Sequence, residues 1–317
     1  MERTVEKQVK LATLGALIGN SIFGFSFMFS RMALGITTPF VMLMVRFILA
    51  ALILCIIAFF AARKGDRRTQ DGDIHWLRFD LRGKPVGALL ALGIVQPVAY
   101  FLCESYGISM TNATFSGVII ALVPIVALVA GALVLREIPS RAQVIWSLVS
   151  IFGVVLMTLQ QSAEGAIRPL GVIMLFGAVL SGVTFNILSR RMSSQFSALE
   201  RTVVMMVVAA VVFTVLAVIE CRGDSALLLA PLKHPMFLTA MLYLSVLSSI
   251  VAFLFINFAS NTLPVAKTTA FCNLTTAISM FAGVVFLHEP FGLMSLAASA
   301  MIILGVWKVQ TTGTKKA

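Results

Sequence analysis

Three ionisable residues lie inside long apolar runs and are the first candidates for chemistry: Arg46 in MVRFILAALIL, Glu104 in YFLCESYG and Lys267 in LPVAKTTAF. A charge at the centre of a lipid-embedded helix costs about 2.5–3.5 kcal/mol on insertion scales, so each of the three needs a reason to be there. Arg46 is too deep to reach the interface comfortably. It is suited either to an anionic group of a substrate or to an internal carboxylate, for which Glu104 is the nearest candidate by depth. Glu104 itself reads as an interfacial carboxylate, or as a group that contacts substrate or couples a proton. Lys267 reads as a cation that snorkels to the cytoplasmic interface, or as a cation of a central cavity. Uncharged polar residues form a second set in the apolar runs: Asn20, Ser26, Gln96, Tyr100, Asn186, Ser249, Asn257 and Asn273. Amides at membrane depth face other helices or a wet cavity, because lipid offers no partner. The candidate substrate-binding residues are therefore Arg46, Gln96, Tyr100, Glu104, Asn20, Asn186, Asn257, Lys267 and Asn273. The cations among them favour a substrate with a carboxylate or other anionic group, such as an amino acid.

Nothing in the chain reads as a catalytic centre. His75, His234 and His288 are far apart, and no Asp-x-x-x-Asp, His-Glu-x-x-His or phosphate-cradling Gly-rich lysine motif occurs. The four cysteines include no C-x-x-C pair, so neither a zinc site nor a disulfide framework is expected. No metal and no cofactor is implied. Glu137 and Glu289 precede tight turns at opposite membrane faces and cannot act together as acid and base. They read as carboxylates that accept hydrogen bonds from the N-terminus of the helix that follows each.

The elements that must position these residues are apolar helices. Hydrophobic residues make up 59% of the chain and charged ones 12%, where a soluble domain carries roughly 25% charged. Runs of about 20 apolar residues can cross a bilayer, and ten fit: Leu11–Ala33, Pro39–Ala61, Val86–Tyr106, Thr111–Leu135, Ala142–Leu159, Pro169–Leu188, Thr202–Ile219, Met236–Phe258, Pro264–Leu287 and Leu293–Val309. The formal net charge of +11 would suggest nucleic acid in a soluble protein, but the basic residues sit in loops beside apolar runs. With the N-terminus inside, 18 Lys and Arg fall on the inner side and four, Arg31, Arg168, Arg222 and Lys233, on the outer. That asymmetry places both termini in the cytoplasm of a multi-pass protein of the cell membrane. The expected partners are a small-molecule substrate and the lipid bilayer, with proton coupling as a further possibility and no nucleic acid. The chain can serve as a monomer or a homodimer.

The chain repeats itself. At an offset of 152 residues Gly131 meets Gly283, Glu137 meets Glu289, and Gly153-Val154 meets Gly305-Val306, while Phe101-Leu102 meets Phe253-Leu254. An offset of 158 aligns Gly19, Gly24 and Phe27 with Gly177, Gly182 and Phe185. Each repeat holds five spans, and five is odd, so the second must enter the membrane from the opposite side. The expected architecture is all-α integral membrane, with ten transmembrane helices as two inverted five-helix repeats, 1–162 and 163–317. Such repeats recur in transporters, with the substrate near the midplane between halves.

The two span-end segments, ALVPIVALVAGALVLREIPSRAQVIWSLVSIFGVVLMT and NLTTAISMFAGVVFLHEPFGLMSLAASAMIILGVWKV, resemble the ten-span EamA-type members of the drug/metabolite transporter superfamily. In that family each half carries a proline-bearing span, a carboxylate at a turn and a Gly-Val span. Pro124, Glu137 and Gly153 match in the first half. Glu289 and Gly305 match in the second, where Thr276 replaces the proline. GFSFMFSRMA and Arg46 also resemble the family. The resemblance implies a secondary active exporter of small metabolites. Two other function classes compete: an integral-membrane enzyme acting on lipid or isoprenoid substrates, and a membrane sensor that transports nothing.

Overall fold

A helix lets an apolar segment satisfy its own backbone N–H and C=O groups in lipid. In the computed structural model, the described residues form helices joined by turns, with no strand among them. The structure describes residues 2–63, 77–135, 140–163, 165, 167–263 and 271–311. Among the described residues eight helices are long and apolar enough to cross a membrane: α1 (Gln8–Leu34), α2 (Pro39–Arg63), α3 (Val86–Met110), α4 (Ala113–Ala130), α5 (Arg141–Gln160), α6 (Pro169–Met192), α7 (Ala198–Glu220) and α8 (Pro235–Thr262). Two shorter apolar helices follow, α9 (Asn273–Phe286) and α10 (Leu293–Val309). Lys267, Glu137 and His75 lie outside the described residues.

Local chemistry sets the helix ends. Asn112 begins α4 with its side chain accepting from the Phe115 N–H, and Ser197 and Glu200 close a capping box at the start of α7. Pro39, Pro169 and Pro235 occupy first turns, where a missing N–H costs nothing. Two spans are interrupted. Over Tyr243–Ala252 in α8 the backbone loosens to the wider π-helical turn, a feature common at functional sites, and over Ile94–Ala99 α3 is kinked. In α3 Gln96 is extended (φ −148°, ψ 121°), immediately before Pro97, which has no N–H to donate.

The helices pack chiefly as α5 with α10, α2 with α7, α3 with α6, α1 with α8 and α9, and α4 with α9. Sequence order suggests that the glycines at 153 and 305 serve contacts between consecutive spans. The structure instead joins them across α5 and α10. The Ser150 hydroxyl donates to the Ile302 carbonyl at 3.0 Å. A Cβ on Gly153 would sit 2.9 Å from the Ala298 carbonyl oxygen, and one on Gly305 2.7 Å from that of Trp146. Large side chains such as Leu52, Phe60, Leu148, Phe152, Leu180 and Val211 stand half exposed or more on the outer faces, as lipid contact requires. Inside, Phe47 stacks on Phe213 at 5.6 Å and meets Phe101 at 5.4 Å. Phe101 and Phe253, 152 residues apart, approach to 6.1 Å.

Two carboxylates tie elements together at opposite ends of α3. Near its start, buried Glu200 of α7 accepts from Lys84 Nζ at 2.7 Å with both oxygens and from the Asp80 N–H at 2.8 Å. Beyond its far end, Glu289 accepts from the Ala113 and Thr114 N–H groups at 2.7 and 2.8 Å. The helix that Glu289 caps is therefore α4, not the α10 that follows it in sequence. The helix-terminus chemistry is as expected, but the partner is 175 residues away, because α4 rather than α10 starts beside the α9 turn.

Candidate functional site

A cavity of about 90 Å³ lies among α1, α3, α4, α6, α8 and α9, several times the roughly 10–15 Å³ that one water needs. Of the residues singled out in the sequence, Asn20 on α1, Gln96, Tyr100 and Glu104 on α3, and Asn186 on α6 line it together with Ser26. Tyr100 and Glu104, four apart on the helical part of α3, share one face, and Gln96 joins them on the wall from the kink. Glu104, expected at the interface, is 3% exposed and has Tyr100 as a side-chain hydrogen-bond partner. Asn20 is held in place: its amide nitrogen donates to the Ala16 carbonyl at 2.8 Å. Thr275 of α9 donates to its side-chain and main-chain oxygens at 3.1 and 2.9 Å.

The remaining candidates sit elsewhere. Arg46 is fully buried but does not line the cavity. Its Nε donates to Ser249 and its Nη2 to Ser248, each at 2.9 Å, and its guanidinium lies 4.1 Å from the centre of the Phe101 ring. It interacts electrostatically with Glu104, yet its hydrogen bonds run to hydroxyls of α8. Asn257 belongs to a second network. It donates to Thr202 and accepts from Ser189, each at 3.0 Å. Asn273 is half buried at the start of α9 and is not on the cavity wall.

The centre of that second network is Arg201, which sequence reading takes for a loop cation. It is instead 0% exposed. It donates to the Ser189 carbonyl and hydroxyl at 2.8 and 2.5 Å, to the Asn257 carbonyl at 2.7 Å and to the Asn261 side chain. Its position beside Glu200, at the start of an apolar run, resembles any topogenic arginine. Its acceptors come from α6 and α8 and carry no local signal. Sequence reasoning also passed over Thr275 and the rings that complete the wall, Phe23, Phe27, Phe101 and Phe185. Their hydrophobic character marks them only as core.

The cavity is thus a small, aromatic-lined chamber inside an apolar bundle, with amides, hydroxyls and one carboxylate turned into it. Such a chamber suits reversible binding of a small polar molecule. The sequence profile of the EamA-like transporter family matches residues 10–159 and 169–310. The chain belongs to that family. A Bacillus subtilis (strain 168) relative, "Uncharacterized transporter YcxC", is 29% identical over 95% of this chain and 93% of its own. A second from the same organism, "Uncharacterized transporter YyaM", is 24% identical over 92% and 90%. A crystal structure covering 94% of this chain and 95% of its own superposes with a TM-score of 0.61 at 15% identity, which shows a shared fold. An EamA-like chain with these helices is a multi-pass membrane transporter. The family and its relatives point away from enzymatic chemistry.

Proposed function

We propose that this EamA-like protein is a secondary active transporter that exports small metabolites, amino acids or related compounds, by alternating access. Two inverted five-helix halves, 1–162 and 163–317, move about the cavity in the cytoplasmic membrane with both termini inside. The observation that carries this reading is the make-up of the cavity wall. Three helices of the first half, α1, α3 and α4, and three of the second, α6, α8 and α9, line it. These are corresponding members of the two sets of five.

Other features support the two-fold plan. The pairs α2 with α7, α4 with α9 and α5 with α10 each join equivalent helices. The pair α3 with α6 has its counterpart in α8 with α1. The interrupted stretch Ile94–Ala99, shifted by 152, falls within the interrupted stretch Tyr243–Ala252. The family profile matches in two stretches, one per half. With α9 and α10 counted as spans, the bundle has ten. Glu104 is the lining carboxylate through which a proton would be exchanged for substrate.

Reconstituted protein should catalyse saturable counterflow of small metabolites in proteoliposomes, measured with a labelled amino-acid and amine panel with and without an imposed pH gradient. Flux no faster than in empty liposomes for every compound would defeat the proposal.

A further inference from the structure

We infer that the cavity takes a cationic amine with an apolar or aromatic body, its ammonium held at the Glu104 carboxylate. The inference rests on the reading of this cavity as the substrate site, and it reverses the charge preference that Arg46 and Lys267 suggest from sequence. Four observations lead to it.

The first is the sign of the wall. Among the described residues that line the cavity the charged side chain is Glu104, with no Lys or Arg beside it. Arg46, the nearby cation, is turned to Ser248 and Ser249 and lies over the Phe101 ring. It tempers the Glu104 charge from outside the wall: its Nη1 has no hydrogen-bond partner among the described residues, but Arg46 is not one of the residues that line the chamber.

The second is an acceptor with nothing to accept. Gln96 is 7% exposed, lines the cavity, and has a buried side-chain oxygen with no hydrogen-bond partner among the described residues. A buried unsatisfied acceptor is costly. An ammonium offers three donors and no acceptor, so it suits the Glu104 carboxylate, and a further N–H of the same ligand suits the Gln96 oxygen. A carboxylate group of a ligand can serve neither.

The third concerns donors. The Ser26 and Thr275 hydroxyls and the Asn20 amide, which could greet an anion, already donate to the protein. Ser26 donates to the Phe23 carbonyl at 2.7 Å, Thr275 donates to Asn20, and the Asn20 amide donates to Ala16. Asn186 is an amide and suits either sign.

The fourth is the aromatic content of the wall: Phe23, Phe27, Tyr100, Phe101 and Phe185 all face the chamber. Ring faces carry the negative end of the aromatic quadrupole and attract ammonium groups, while the same rings accept an apolar body.

The test uses three probes of one shape and three charges: 2-phenylethylamine, free phenylalanine and 3-phenylpropionate. Their affinities for the purified full-length protein in detergent are read by equilibrium binding of the labelled compounds. The amine should bind at least about tenfold tighter than the carboxylate, a difference of about 1.4 kcal/mol, with the zwitterion between them. E104Q should lose about tenfold or more for the amine and much less for 3-phenylpropionate. The wild-type charge series stands whether or not the variant folds. Equal or tighter binding of 3-phenylpropionate overturns the inference, as does failure of the amine to saturate by about 10 mM. Either result, with metabolite counterflow intact in proteoliposomes, removes the charge assignment and leaves the transport reading. Amine binding in detergent, with no flux of any compound in vesicles, does the opposite.

Discussion

Arg46 and Arg201 are the largest fully buried side chains among the described residues, and there each donates to neutral oxygens rather than to a carboxylate in contact, with Nη1 of Arg46 left without a partner. For Arg46 the donors Nε and Nη2 reach two adjacent serines of α8 while the plane lies on Phe101. A lysine keeps the charge but has one point of donation on a flexible stem. R46A removes two charge-assisted hydrogen bonds and leaves a void, a loss on the order of 3–5 kcal/mol. R46K should lose about half of that. Thermal unfolding in detergent should therefore rank wild type above R46K and R46K above R46A. A variant R46A as stable as wild type would show that the serine contacts contribute nothing. The depth of Arg46 was legible in the sequence, since a lone cation in an apolar run of that length has to be buried. Its direction was not, because Ser248 and Ser249 lie some 200 positions away and a helix turns about 100° per residue. Arg201 shows the opposite failure: at the edge of a run, a buried arginine and a solvated one look alike.

At the scale of elements, apolar length located eight helices that can cross a membrane and two shorter apolar ones among the described residues. The expected spans and the observed ones agree closely at Pro39, Val86, Pro169 and Leu293, where proline or a loop-to-apolar step marks the start. Which helices touch was another matter. Glycines at 153 and 305 announced close packing, but the chain order gave no hint that α5 and α10 meet. Their meeting makes a sign-reversing prediction about glycine. In α1, Gly15 has its nearest neighbour, the Phe255 side chain, at 3.4 Å from a would-be Cβ, which is ordinary contact. G15A should be neutral or stabilise by up to about 1 kcal/mol, through the helix preference of alanine. At Gly305 the obstacle is the Trp146 carbonyl oxygen at 2.7 Å, a backbone atom that cannot rotate away. G305A should force α5 and α10 apart and destabilise by about 1–3 kcal/mol. The midpoint of thermal unfolding should fall for G305A and hold or rise for G15A. A shift of the same sign in both would contradict the α5–α10 packing.

For the whole molecule, the decisive geometry is that contacts between the proposed halves exist at both ends of α3. Lys84, at the start of α3, grips Glu200 of α7, while Glu289, beyond α9, caps the start of α4 next to the far end of α3. Because α3 crosses the bundle, these two ties lie on opposite faces. A carrier that works by alternating access must release one tie to open each face, and cannot release both at once without becoming a channel. A rigid channel or a sensor has no such requirement. Covalent bridges in place of the two ties separate the cases. In a background with the native cysteines replaced, K84C/E200C and A113C/E289C, each joined by a short bis-thiosulfonate linker, should each bring counterflow down to the level of empty vesicles. Reductant should restore it to the level of the unbridged double variant. Either bridge alone should suffice, since trapping one face closed halts the whole cycle. Full counterflow with one face bridged would mean that the halves need not part there, and the alternating mechanism would have to be abandoned for that face.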